Sequence, residues 1–552
     1  MTRVEAFVAR IAAASAAVQR TALAVFAALV FLPGLVSLPV SDRDEARFVQ
    51  ASRQMIESGD PIDIRFQDEA RYKKPVGIYW MQVAAMEAVG QGADAPLWAS
   101  RLPSYLAAIA AVVLVQVVGV SLTGAAPALL GAILFAGTLV LAGEARIAKT
   151  DAVLLALVLV QMAVLARAYS GTALGQWRVY AFWAAFGLSA LVKGPVGPMI
   201  VGLSVLALCL VQRDRNWLRP IGNWRAMALG AAILLPWAMA ISWRAGGEFW
   251  QASVGGDLLA KVAEGQEGKG APPGTYLALL WLTFWPGSAL LTLMLPAIWA
   301  DRRAKASIFL LAWIIPFWLV LEAVPTKLIH YPLPLYPALA LLACAALMAR
   351  PAGALPPLGR AVALPFLALA PLLLGASAWL AASTGAGFSA AWPAVLALPP
   401  VLVVALAACR ALTRDLRHAL PACLAVMAAI TLAGAVATLA RTPWLWPSDQ
   451  LAALIRDATP EECAETRLVS TGYTEPSLIV RTSRQTQLLP VDRAAKAAGQ
   501  ACTLIAVEDR VAPEFARATT DVPLEQVGRV QGFAIGAGRN VGVTLYRNGG
   551  AE

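Results

Sequence analysis

Between Ser41 and Gln82 the chain reads SDRDEARFVQASRQMIESGDPIDIRFQDEARYKKPVGIYWMQ. Two adjacent acids, Asp44 and Glu45, stand near its start, and Arg47, Arg53 and Arg65 follow. Arg71, Tyr72, Lys73 and Lys74 then precede Pro75 and the apolar, aromatic run Val76-Gly77-Ile78-Tyr79-Trp80. A carboxylate can take the proton of an attacking hydroxyl. Lysines and arginines can hold a phosphate and neutralise the charge that grows on it as it departs. The plainer reading is a charged interfacial loop whose basic side chains meet lipid headgroups without selectivity.

Two further segments carry charge where orientation in a membrane does not require it. Glu144-Ala145-Arg146-Ile147-Ala148-Lys149-Thr150-Asp151 contains four charged residues in eight. Its ordinary reading is the start of a helix, with Asp151 favoured near the N-terminus. Pro325-Thr326-Lys327-Leu328-Ile329-His330-Tyr331-Pro332-Leu333-Pro334-Leu335-Tyr336-Pro337 has four prolines in thirteen residues. They break a helix and expose backbone, which a membrane tolerates where a cavity is lined. Simple snorkelling also accounts for Lys327.

These residues need a scaffold, and composition says which kind. Of 552 residues, 59% are hydrophobic and 14% charged, against roughly half and a quarter in soluble domains. The apolar residues fall in blocks of the length a helix needs to cross a bilayer. About thirteen spans are predicted, near 21–40, 99–121, 125–143, 152–169, 179–194, 196–212, 226–244, 275–299, 306–323, 328–348, 361–382, 391–411 and 418–440. The continuous runs exclude a barrel of alternating strands. Arg3, Arg10 and Arg20 precede the first block, which reads as a retained span, with a cleavable signal as the alternative.

Basic residues cluster after the sixth (Arg213, Arg215, Arg219, Arg225), eighth (Arg302, Arg303, Lys305), tenth (Arg350, Arg360) and twelfth (Arg410, Arg414, Arg417) spans. The positive-inside rule makes these loops cytoplasmic and predicts an inside N-terminus. This placement also explains the net charge of +10 without a nucleic-acid partner. An odd number of spans puts the tail outside. The three charged segments quoted above then share one outer face. The helical spacing from Glu45 to Glu57, with Phe48, Met55 and Ile56 as anchors, suits a helix lying flat in the interface.

The expected organisation is a transmembrane region over 1–442, with outer loops at 41–98 and 245–274, and a small outer α/β domain over 443–552. Leu468–Ser470, Leu478–Arg481, Thr503–Val507 and Val541–Tyr546 read as strands, Asp449–Asp457 and Pro513–Ala518 as helices. Cys463 and Cys502 lie in the outer tail, where a disulfide can form. Cys209, Cys344, Cys409 and Cys423 read as small apolar residues. With two histidines in the chain, His330 and His418, and no CxxC spacing, no metal site is expected.

The order and placement of these motifs resemble the bacterial aminoarabinose transferases that modify lipid A, within the GT-C glycosyltransferases that include the protein O-mannosyltransferases. Asp44-Glu45-Ala46-Arg47 resembles their Asp-Glu-x-Arg motif after the first span. Lys74-Pro75 with Tyr79-Trp80, Lys149-Thr150-Asp151, and Lys327-Leu328 with Tyr331 and Pro334 resemble three later elements. The likeness runs along the whole chain, weakly in the tail. It implies a GT-C fold of about thirteen transmembrane helices with a C-terminal periplasmic α/β domain, in a bacterial inner membrane. It implies transfer of a sugar from a polyprenyl phosphate carrier to lipid A or another envelope glycolipid; no nucleotide cofactor is expected, because the carrier bond supplies the energy.

By position, Asp44, with Glu45 beside it and Asp151 as a second acid, carries the acid–base role. Arg47, Tyr72, Lys73, Lys74, Lys149, Lys327 and Tyr331 are the carrier-phosphate and sugar contacts. Two residues depart from the pattern, and the first is Lys73, which stands where relatives usually carry Glu. A lysine repels a cationic aminosugar and favours a uronic acid or neutral hexose. The glycine-bearing stretch Ala245–Gly274, with Glu248, Asp257, Glu264, Glu267 and Lys269, suits a lid or a plain connector; Lys269 falls near where relatives often place a His. A polymer ligase or lipid-linked-sugar flippase is the alternative function. A secondary transporter fits less well, because the chain shows no internal repeat and its charges gather at one mouth.

Overall fold

The computed structural model describes residues 3–41, 43–259, 270–350, 357–459, 463 and 466–549. Each predicted apolar stretch coincides with a helix or a pair of helices. Among the described residues seven helices are long and apolar enough to span a membrane, eight when one bent pair counts as a span. That pair, Thr275–Thr283 and Gly287–Ala300, meets at 118°. Four shorter apolar helices, Ala16–Phe31, Ala125–Ala136, Val196–Gln212 and Leu333–Ala349, and the helix Gln176–Lys193 fill the other predicted places. The chain is a multi-span helical membrane protein.

The differences from expectation have local causes. An amphipathic helix, Arg3–Ala13, precedes the first span, which begins at Ala16, where the Ser15 hydroxyl accepts from the Val18 N–H at 3.4 Å. The stretch 125–143 is two helices, Ala125–Ala136 and Leu139–Glu144, separated at Gly137-Thr138. Helix Tyr336–Ala349 starts late, after a 3₁₀ turn Leu333–Leu335, because the prolines before it deny backbone donors.

The segment after the first span folds as helix Asp44–Ser58, a two-stranded hairpin β1 (Arg65–Phe66) and β2 (Glu69–Ala70), and helix Gly77–Ala88. Asp44 and Glu45 lie in the first turn, where the helix dipole favours acids. Gly59, at φ 65°, ends the helix in the left-handed conformation. Phe48 and Met55 are buried anchors. Helix Gly77–Ala88 lies close against Gln176–Lys193: a Cβ on Gly77 would stand 2.8 Å from the Leu191 carbonyl oxygen. That contact draws the Lys74 segment toward the end of the helix that carries Lys193.

The tail is a five-stranded sheet in the order β4 (Gln487–Leu488), β3 (Arg467–Thr471), β5 (Thr503–Glu508), β7 (Arg539–Asn548), β6 (Leu524–Ala534). β3 pairs in parallel with β4 and β5, and the rest is antiparallel. Val469, Ile505 and Val507 pack on one face against helix Val491–Ala498. Leu468, Leu504 and Ala506 pack on the other against Leu451, the alternation a strand imposes. Cys463 and Cys502 form a disulfide.

One tail prediction is corrected. Leu478–Arg481 is not a strand but the end of helix Pro476–Arg481, whose first position is taken by a proline. This short helix packs on Asp44–Ser58. Arg53 donates to the Val480 carbonyl at 3.2 Å, and the Gln67 amide donates to the Arg484 carbonyl at 2.8 Å. Arg484 pairs with Glu57 at 2.6 Å and also with Asp94.

Candidate active site

The adjacent acids that open the first motif have different surroundings. Glu45 is fully buried. One carboxylate oxygen accepts from Arg101 Nε at 2.8 Å and the Ala148 N–H at 2.9 Å. The other accepts from the Ser41 N–H at 2.8 Å and Arg101 Nη2 at 3.1 Å. Burial alone would raise its pKa, but Arg101 and the two backbone donors outweigh burial and hold it below the usual carboxylate range. Arg101 donates onward to the carbonyls of Leu35, Leu38 and Pro39. Arg146 likewise collects the carbonyls of Val30, Pro33 and Ala142. These arginines tie the exit of the first span to the loop before Asp151.

Glu45 is therefore corrected from catalytic acid to scaffold: a carboxylate committed on both oxygens has no capacity left for a substrate proton. Asp44, one residue earlier, is exposed. Its charge acts on Lys149 and on His330, so it faces the cluster beneath it. Arg47, three residues on and on the same side of the helix, is half-buried.

That cluster joins three distant pieces of sequence. Asp151, first residue of its helix, pairs with Lys193 from the end of Gln176–Lys193. Lys149 lies 3.8 Å from Asp151 and 3.4 Å from Glu144. His330 Nε2 is 3.8 Å from Asp151 and its Nδ1 is 3.7 Å from Glu144. The Tyr331 ring packs edge-on against His330 at 5.1 Å and lies 5.5 Å from the Lys193 ammonium. All but Tyr331 and Lys193 are buried. Burial pushes the Glu144 carboxyl up to about 7 against the pull of Lys149. Burial and the two lysines push His330 down to about 3, so its imidazole is neutral at physiological pH. Burial opposes the charge on Lys149, but Glu144, Asp151 and Asp44 raise its pKa and keep it an ammonium. Among the described residues no group of three His, Cys, Asp and Glu side chains is placed to hold a metal.

Comparison with known proteins supports the motif reading. Residues 73–240 match the dolichyl-phosphate-mannose-protein mannosyltransferase family. The chain is 28% identical over 333 residues to the undecaprenyl phosphate-alpha-4-amino-4-deoxy-L-arabinose arabinosyl transferase of Pectobacterium carotovorum, covering 57% of this chain and 58% of that one. It is 30% identical over 280 residues to its Pseudomonas aeruginosa namesake, 49% of each. The chain thus spans about half the length of the curated relatives it matches. The crystal structure of ArnT from Cupriavidus metallidurans bound to undecaprenyl phosphate superposes with a TM-score of 0.77 at 20% identity, over 96% of this chain and 97% of that one. The chain is similar to these aminoarabinose transferases and has the GT-C fold.

Within that fold the predicted residues divide. Asp44, Lys149, Asp151 and Tyr331 belong to one cluster with Lys193 and His330. Lys74 is half-buried and Lys73 exposed beside it. Tyr72 turns away: its hydroxyl donates to Asp63 at 2.8 Å, its ring packs on Phe249, and burial and Asp63 push its pKa up to about 12. Lys327 is corrected from phosphate contact to helix cap. Its ammonium donates to the carbonyls of Leu321, Glu322 and Val324 at 2.7, 2.8 and 2.6 Å, closing helix Lys305–Ala323. A three-donor group so spent has none left for a ligand. Lys193 was missed as a site residue, since Lys193-Gly194-Pro195 reads as a divider between spans. A lone cation ending an apolar helix was the available signal. In the stretch 245–274, Glu264, Glu267 and Lys269 lie outside the described residues.

Proposed function

We propose that this chain transfers a sugar from a polyprenyl phosphate carrier to a lipid acceptor, lipid A or another envelope glycolipid, with inversion at the anomeric carbon. The observation that carries the reading is the cluster of buried Glu144, Lys149, Asp151 and His330 with half-buried Lys193, beneath exposed Asp44. Charges kept inside a membrane protein mark working sites, and these sit in a fold whose solved relative from Cupriavidus holds undecaprenyl phosphate.

The acceptor oxygen forms a bond to the anomeric carbon as the bond from that carbon to the carrier phosphate breaks. The polyprenyl phosphate leaves with the electron pair, toward Arg47, Lys74 and Tyr331. Asp44 takes the proton when the acceptor is a hydroxyl; an acceptor phosphate is already anionic, and Asp44 then orients it. Lys193 and Lys149 pair with Asp151, and His330 stands between Asp151 and Glu144. The protein works in a bacterial inner membrane, with the N-terminus cytoplasmic. Residues 1–442 form the transmembrane catalytic domain and 443–552 a periplasmic α/β domain.

The transferred sugar is a uronic acid or neutral hexose, because Lys73 is exposed beside Lys74 and repels a cation. Lys73→Glu is expected to raise the ratio of aminoarabinose to uronic acid transferred; an unchanged ratio removes Lys73 from specificity. The function itself is tested with purified protein in lipid nanodiscs, radiolabelled polyprenyl-phosphate sugars and envelope lipids. Label should enter a lipid with wild type and not with folded Asp44→Ala or Lys74→Ala. Equal labelling by both variants rejects the site, and no labelling with any donor rejects the reaction.

A further inference from the structure

A cleft of about 450 Å³ opens in the tail where the chain leaves the last membrane helix. Trp444, in the turn Pro443–Leu445 after that helix, forms one wall. Glu508 and Asp509 at the end of β5, and Gln531, Arg539 and Asn540 from β6 and β7, form the others. Close backbone approach shapes it. A Cβ on Gly542 would lie 2.1 Å from the Asp509 carboxylate, and one on Gly532 would lie 2.5 Å from the Trp444 carbonyl oxygen.

Every charged side chain that lines this cleft has an ion-pair partner, Arg510 among them at 3.6 Å from Glu508. Both terminal nitrogens of Arg539 meet the carboxylate of Glu508, and Arg529 donates to Asp509 at 2.7 Å. The paired groups disfavour a strongly charged ligand. What they offer is a ring of acceptors, donors and amides that do both, beside an indole stacked on Phe533 at 5.2 Å. Few convergent polar groups around an aromatic wall suit a compact ligand with an apolar face. A neutral polyhydroxyl ring has that character.

The location connects the cleft to chemistry. Glu475 meets Arg43 at 3.9 Å, next in sequence to Asp44, and its charge acts on Arg539 in the cleft wall. Arg441, ending the last helix, lies over Trp392 at 5.5 Å, the basic–aromatic pairing of a membrane surface. We propose that this cleft binds the neutral saccharide portion of the acceptor glycolipid and presents it toward Asp44. The inference rests on the glycosyltransferase reading for its acceptor role, though not for saccharide binding itself.

The test compares full-length wild type with Gln531→Ala/Asn540→Ala, two exposed positions, after matching their thermal melts. Saturation-transfer NMR with N,N′-diacetylchitobiose reads binding, and turnover with lipid A reads use. The expected result is saturation transfer in wild type, its loss in the double variant, and a rise of about tenfold in acceptor KM with kcat and donor KM unchanged, the scale of one or two hydrogen bonds. Equal saturation transfer in both proteins, or none in wild type, overturns the cleft as a saccharide site. Binding lost with acceptor KM unchanged assigns the cleft to free saccharide and overturns the acceptor role. If wild type transfers nothing from any donor to lipid A or to other envelope lipids, the glycosyltransferase reading fails, and the binding comparison alone judges the cleft.

Discussion

Asp44→Ala and Glu45→Ala change neighbouring carboxylates in one helical turn, yet the geometry predicts opposite phenotypes. Glu45 receives four hydrogen bonds and pairs with Arg101, both side chains being fully buried. Removing one partner of a buried pair strands the other charge and costs about 3–5 kcal/mol. Here Arg101 keeps three carbonyl acceptors, which places the cost toward the lower end. Asp44 is exposed, and substitutions at such positions usually stay within about 0.5 kcal/mol. Losing a general base costs about 10²–10⁴ in rate. Thermal unfolding in detergent and transfer in nanodiscs, run on both variants, separate the roles. Glu45→Ala should melt early, and Glu45→Leu/Arg101→Leu should recover part of the loss, because apolar replacements of a buried pair are often tolerated. Asp44→Ala should melt like wild type and transfer almost nothing. An unshifted melt for Glu45→Ala, or full activity for Asp44→Ala, refutes this division.

Three further outcomes follow from named contacts. Glu144 titrates near 7 in the folded protein against 4.5 as a free group, so the folded state holds an extra proton between those values. Its stabilising contribution is complete below about 4.5 and lost as pH rises through about 7; the melting midpoint should fall between pH 5 and 8, and less so in Glu144→Gln. Arg484→Ala removes the pairs to Glu57 and Asp94 on a partly exposed seam, changing global stability by no more than about 1 kcal/mol. It should speed hydrogen exchange in Asp44–Ser58, and unchanged exchange removes the brace. Cys463→Ser/Cys502→Ser opens a 39-residue loop, worth about 4 kcal/mol in chain entropy. The tail should unfold earlier with the helical bundle unaffected, and equal tail melts contradict it.

The membrane helices were legible because their signal is long and local: a run near twenty apolar residues has few other solutions in a bilayer. The motif order also picked out segments that the fold brings together, Asp44 with Lys149, Asp151 and Tyr331. What stayed hidden was how each charge is used. Asp44 and Glu45 look equivalent in sequence, and only the distant Arg101 and the Ala148 N–H decide between them. Lys327 stands in a motif yet closes its own helix end. Lys193 reaches Asp151 because helix Gln176–Lys193 packs directly on helix Asp151–Tyr169, a contact no periodicity announces. In the tail, Leu478–Arg481 is apolar enough for a strand, but Pro476 starts a helix there. Strand β6, with exposed Glu525, Gln526 and Gln531, lacks a clear apolar alternation.

The most direct measurement is release of polyprenyl phosphate from a defined polyprenyl-phosphate sugar, quantified beside label gained by an acceptor lipid. One-to-one release and transfer by wild type, lost in folded Asp44→Asn and Lys193→Met, is the predicted result. Release that proceeds equally in both variants, or sugar that crosses the membrane still attached to its carrier, contradicts the account.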